Sequence, residues 1–322
     1  MTSATSLLDD DGYVTDDAVD RAEAAIRGHV ARTPVVRSTA LSDALDADVH
    51  FKCELFQPTG SFKVRGVFNK ASQLTAEERD RGLIAFSAGN HAMAVGHVGV
   101  GLGLPVTVCM PAGAVQFKVD AVRALGASLE LVDGDLVAHA LARQAELGAT
   151  MVHPFDDPAI VAGTATIGRE IVADLPDVDT VIVPVGGGGL ISGLATGVKR
   201  ARPGTRVIGV EPDSADVVSR SLAAGAAQTL DRPSSLADGL AAPSTGEINL
   251  HHIRRHVDDV VVVAESALAD AWARVVRMSK LAVEPAVAAA MVALDTGAIE
   301  VAPGETVCIV ASGGTADFAM LG

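Results

Sequence analysis

Short apolar runs alternate with longer stretches of helical period along nearly the whole chain. The runs at residues 49–55, 83–86, 106–110, 129–132, 181–185, 207–210, 260–263 and 307–310 are rich in Val, Ile and Leu and predict strands. Between them, residues 64–73, 92–102, 117–125, 137–147, 160–173, 190–200, 267–278 and 286–294 have the length and spacing of helices. Asp16 precedes a further helical stretch at 18–26, and Pro285 after Glu284 stands where proline favours a helix start. Strands alternating with helices at this spacing predict parallel sheets covered on both faces. The stretch 231–248, with Pro233, Ser234, Ser235, Pro243 and Gly246, reads as a long ordered loop, and residues 1–10 as a frayed end.

The chain has 322 residues, a comfortable length for two α/β lobes. Its hydrophobic fraction of 49% supports a large core, while 3% aromatics leaves little for recognition by stacking. A net charge of -15 repels phosphate backbones and anionic membranes, so neither nucleic acid nor membrane is an expected partner. The most apolar segment, 181–198, is broken by Pro184 and six glycines and cannot be a membrane span. Asp9, Asp10 and Asp11 follow the N-terminus where a leader would be basic and then apolar, so a cytoplasmic protein is the expectation. Cys53, Cys109 and Cys308 each sit in an apolar run and read as buried, reduced thiols.

Four segments carry candidate chemistry. In 58–66, Lys63 follows a turn at Pro58 and Gly60 and lies between Phe62 and Val64 at the head of a helix. Burial disfavours a charged amine, and a neutral amine can form a Schiff base with an aldehyde. In 87–91, Ser87, Ala88, Gly89, Asn90 and His91 form a turn between strand and helix, where free N–H groups suit a carboxylate. Gly186, Gly187, Gly188 and Gly189 follow a strand and open a helix, an entropically costly run that suits a phosphate cradled by backbone amides. It is neither the dinucleotide fingerprint nor a P-loop. Ser312 stands after the strand 307–310, at the sheet edge where ligands bind in open α/β folds. His251, His252 and His256 lie close together but lack a further ligand at suitable spacing, and read as a solvated helix face.

In this order, the four segments resemble the serine/threonine dehydratase (threonine ammonia-lyase) and serine racemase branch of the tryptophan-synthase-β-like, fold type II pyridoxal-phosphate (PLP) enzymes. The likeness extends to Met110, Pro111 and Lys118, to residues 153–157 and 162–163, to 237–241 and to Glu284 with Pro285, and so covers about 33–315. It implies an α/β protein of two lobes with open, twisted, mostly parallel sheets. Residues 1–69 with 151–322 would form the large PLP-binding domain, and 70–150 a small mobile one. Lys63 would hold PLP as a Schiff base and take the substrate Cα proton. Phe62 would pack by the ring, Asn90 would bond the ring hydroxyl, the four glycines would cradle the phosphate, and Ser312 would face the ring nitrogen. Ser87, Ala88, Gly89, Asn90 and His91 would shape the substrate site. A hydroxyl opposite the ring nitrogen does not hold a proton there, which favours expulsion of a β-hydroxyl over a long-lived carbanion.

The implied reaction is β-elimination from L-threonine, L-serine or both, in a homodimer or higher homo-oligomer. Racemases of this branch carry a serine where this chain has Ala88, and a methyl transfers no proton. A serine racemase and a threo-3-hydroxyaspartate dehydratase are the enzymatic alternatives. A PLP-binding regulator would tolerate loss of Lys63, which is present. The branch's site for Mg2+ or a monovalent cation maps onto Glu211 and the Ala215 carbonyl, but the later carboxylate falls at Val217, with Asp216 one place early. No length follows residue 322 for the regulatory domain of biosynthetic threonine dehydratases, so control through one is not expected.

Overall fold

The computed structural model describes residues 6–321. Its strands in chain order are β1 (Val35–Arg37), β2 (Asp48–Lys52), β3 (Leu83–Phe86), β4 (Val106–Pro111), β5 (Ser128–Val132), β6 (Thr150–Met151), β7 (Thr180–Pro184), β8 (Arg206–Pro212), β9 (Asp259–Val263) and β10 (Thr306–Val310). They form a six-stranded sheet, β1-β2-β10-β7-β8-β9, and a four-stranded sheet, β5-β4-β3-β6. Among these strands only the β1–β2 pair is antiparallel.

All eight predicted strands are present. The central strand β7 is buried at every residue, as its unbroken apolar run requires. The run 49–55 stops short at Lys52, because Glu54–Phe56 turns into a 3-10 helix. β1 and β6 add to the expected set, since three and two residues carry no periodic signal. Short helices at Thr39–Leu45, Ala76–Arg81 and Val217–Ala224 are additions for the same reason. The first helix, Asp16–Ile26, is capped by Thr15, whose hydroxyl accepts from the Ala18 amide, while Asp16 belongs to its first turn.

Two further expectations are corrected. Residues 6–10 are not frayed: Leu8 pairs with Val14, and Asp9 accepts from the Asp11 and Tyr13 amides. Residues 1–5 lie outside the described residues. The histidine face is not solvated: His252 is fully buried, its Nε2 accepts from the Val14 amide, and its Nδ1 lies 2.8 Å from the Ile248 carbonyl. Tyr13 stacks on His251 at 4.1 Å, so this face receives the N-terminal segment.

The Lys63–Ser72 helix is gripped from two sides. Val64, Val67, Phe68 and Ala71 share an apolar cluster with Leu83, Ala85, Val106 and Val108 of the four-stranded sheet. On its other side a Cβ added at Gly163 of helix Pro158–Asp174 would lie 2.6 Å from the Gly66 Cα, so the two helices touch through backbone. Beside them Arg65, wholly buried, bonds Glu54 and Glu170, each at 2.8 Å, and Lys52 reaches Glu170 at 2.6 Å. Buried charges of this kind persist only when paired and hydrogen-bonded.

Candidate active site

The four candidate segments converge at the carboxyl ends of parallel strands. The turn at 87–89 follows β3, the glycines follow β7, and Ser312 follows β10. Lys63 is tied to Ser312 by the backbone. The Phe62 amide donates to the Ser312 carbonyl at 3.0 Å, and Ser61 bridges Gly313.

Lys63 opens its helix, and its Nζ donates to the Pro154 carbonyl at 2.7 Å. Burial pulls its pKa down to about 8, opposed only by the charge of Glu284. The amine therefore deprotonates far more readily than a surface lysine. Its Nζ lies 5.1 Å from the Phe62 ring centre.

Gly186, Gly187, Gly188 and Gly189 lead into the helix Gly189–Ala201, and Gly188 adopts φ +88, which favours glycine. A Cβ at Gly187 would lie 2.5 Å from the Phe155 ring, so the turn is also closely covered. Thr245 and Asn249 donate to the Gly187 carbonyl at 3.2 and 3.1 Å. The four glycine N–H groups find no acceptor among the described residues. Together with the helix N-terminus they offer unspent donors to an anion.

Sequence reasoning finds Glu284 only as half of a Glu-Pro pair. The structure makes it a hub. Its carboxylate accepts from the Asn90 amide at 2.8 Å and from the Ser312 hydroxyl at 3.2 Å. Burial raises its pKa. The Asn90 Oδ1 is buried without a partner. His91 bonds the Val152 carbonyl through Nε2 at 2.8 Å, and burial, aided by Lys63, lowers its pKa to about 3, so the ring is neutral. Its Nδ1 is likewise unpartnered.

The 87–91 turn is less open than expected. The Ser87 hydroxyl already accepts from the Gly89 amide at 3.1 Å. Ala88 is exposed. A Cβ on Gly89 would lie 3.4 Å from Lys118 Nζ, and Lys118 pairs with Asp238. Sequence alone gives neither Lys118 nor Asp238 a role at the site, because their meeting depends on two distant segments.

Residues 26–313 match the family of pyridoxal-phosphate dependent enzymes. The chain belongs to this family. It is 39% identical to the L-threonine ammonia-lyase of Thermotoga maritima over 316 residues, covering 96% of this chain and 77% of the relative. It is 35% identical to the serine racemase of Oryza sativa subsp. indica, covering 96% and 94%. The solved processed form of threonine deaminase isoform 2 from Solanum lycopersicum superposes with a TM-score of 0.86 at 34% identity, covering 96% of this chain and 93% of that one.

The residues present fit the cofactor. PLP joins an aldehyde, a ring with polar substituents and a phosphate. The site offers a readily neutral amine, buried polar atoms in want of partners, and four free backbone donors. At the expected cation site, protein donors already meet Glu211. Glu211 accepts from the Val218 and Ser219 amides, each at 2.8 Å, and from the Ser219 hydroxyl at 2.7 Å. Asp216 instead meets Arg220 at 2.7 Å, and Ala215 is wholly buried. The carboxylate expected to bind an ion caps a helix.

Proposed function

We propose that this enzyme removes the β-hydroxyl and the amino group of L-threonine, L-serine or both, yielding a 2-oxo acid and ammonia. Lys63 Nζ is assigned to hold PLP and to take the Cα proton. The N–H groups of Gly186, Gly187, Gly188 and Gly189 are assigned to the phosphate. Ser312 is assigned to the ring nitrogen, Asn90 to the ring hydroxyl and Phe62 to the side of the ring. The turn from Ser87 through Ala88, Gly89, Asn90 and His91 would receive the substrate carboxylate. Bound there, PLP supplies the electron sink for cleavage at Cα. The enamine that leaves tautomerises, and water hydrolyses its imine to the 2-oxo acid and ammonia.

The observation that carries elimination over racemisation is Ala88. Return of a proton to the face opposite Lys63 needs a donor, and a methyl is none. The threonine ammonia-lyase relatives support the same reading. A substrate with a second carboxylate, such as threo-3-hydroxyaspartate, would seek a free cation near the turn. Lys118 is the cation there, and Asp238 already neutralises it. A hydroxyamino acid with an uncharged side chain is therefore the better fit.

The same reading takes residues 1–69 with 151–322 as one lobe and 70–150 as a second that closes on substrate, in a cytoplasmic homodimer or larger homo-oligomer. Among the described residues no helix is long and apolar enough to cross a membrane. The test is 2-oxo acid release from L-serine, L-threonine and threo-3-hydroxyaspartate, with Lys63→Ala as control. Lysine-dependent release from L-threonine or L-serine is expected. No release from protein showing the visible PLP band would overturn the assignment.

A further inference from the structure

Away from the cleft, three donor groups meet on the far side of the four-stranded sheet. Cys109 in β4 and Glu130 in β5 are partners across the parallel pair, so their side chains leave the sheet on the same face. The helix Leu136–Leu147 packs on that face through Leu136 and Ala140, and presents His139 and Arg143, four residues apart and hence on one side of it. The Cys109 Sγ, a Glu130 carboxylate oxygen and a His139 ring nitrogen all lie within 4.8 Å of one another. His139 Nε2 is 2.7 Å from Glu130 Oε2.

An ion-pair cluster accounts for Glu130, His139 and Arg143, and Cys109 packs with Ile84, Val132 and Ala140 while its sulfur also reaches the Glu130–His139 pair. Cys109 is fully buried, and its thiol makes no hydrogen bond among the described residues. A tetrahedral zinc-class ion, with bonds of about 2.0–2.3 Å, holds its ligands about 3.3–3.7 Å apart. The observed trio, between 2.7 and 4.8 Å, brackets that spacing.

We propose that Cys109, Glu130 and His139 form a binding site for a borderline divalent ion of the zinc class, with a fourth position open to water. The donor set selects the ion, because sulfur and imidazole suit zinc and cobalt and are poor ligands for magnesium or calcium. Charge balances on binding. The thiol proton is released to solvent, and thiolate and carboxylate together offset the two positive charges of the ion. Access is available, since the Glu130 and His139 side chains remain 26% and 39% exposed. Arg143 is the resident competitor. It bonds Glu130 Oε1 at 2.9 Å, but it also pairs with Glu146 and is 31% exposed, so it can swing outward without being stranded. The Cys109 carbonyl accepts from the Ser87 amide at 3.1 Å, so a bound ion would anchor the strand ends that carry the substrate turn.

The experiment is titration of chelator-treated holoenzyme with Co2+, whose tetrahedral d–d bands fall to the red of PLP absorption. One ion per chain is expected, displaced by Zn2+. Binding is expected to weaken at least about tenfold in Cys109→Ser and in the partly exposed His139→Ala, to persist in His256→Ala, and to be no weaker in Arg143→Ala. Absence of the bands in the wild type, or their persistence in folded His139→Ala, overturns the proposal.

Discussion

The Ser312 hydroxyl donates to Glu284 Oε1 across 3.2 Å. One buried carboxylate thereby joins the residue assigned to the ring nitrogen to Asn90, whose amide it also holds. The charge of Glu284 also opposes the burial that lowers the Lys63 pKa. Removing that charge makes ammonium harder to keep. In apoenzyme, PLP capture is expected to rise through pH about 8, where the Lys63 amine becomes neutral. In Glu284→Gln the midpoint is expected to move down by about one unit. Stopped-flow mixing across a pH series reads it, and an unmoved midpoint would disconnect the two residues.

The glycine turn yields a steric prediction. Gly187→Ala sets a methyl 2.5 Å from the Phe155 ring. Overpacking of this kind costs about 1–3 kcal/mol. PLP affinity is expected to fall about ten- to a hundredfold, as read by titrating apoenzyme at the visible band. Phe155→Ala in the same chain is expected to recover part of the loss.

Asp238→Asn frees the Lys118 ammonium beside Gly89. The ratio of kcat/KM for threo-3-hydroxyaspartate to that for L-threonine is expected to rise about three- to tenfold. Asp238 is 55% exposed, which keeps the effect modest. An unchanged ratio would show that Lys118 does not sense the second carboxylate.

Arg65→Ala strands the fully buried carboxylate of Glu54, while Glu170 keeps Lys52. Removing one partner of a buried ion pair costs about 3–5 kcal/mol. Chemical denaturation is expected to show a loss of that size, whereas replacement of an exposed partner, as in Asp17→Ala, is expected to cost about 0–1 kcal/mol.

Mg2+ offers a test of the cation expectation at Glu211 and Ala215. With both carboxylate oxygens already accepting bonds, added Mg2+ is expected to leave kcat and Tm unchanged. A Tm that climbs with Mg2+ concentration would establish the cation site.

What the sequence determined by itself was whatever is local. Apolar runs such as the one that became β7 must be buried on both faces, so the parallel sheets followed from periodicity. The glycine run and the apolar flanks of Lys63 stood out as candidates because backbone freedom and desolvation are properties of neighbours in the chain. The resemblance then supplied roles that spacing could not. Tertiary structure decided whatever depends on meetings across long separations. Glu284 lies 194 positions from Asn90, and Lys118 lies 120 from Asp238, so no local pattern could pair them. The amides of the helix Val217–Ala224 meet Glu211 only once the chain is folded. His252 looked solvated until the N-terminal segment covered it. In each case the side chain is the same, and its free energy is set by which distant donor, charge or apolar surface replaces water around it.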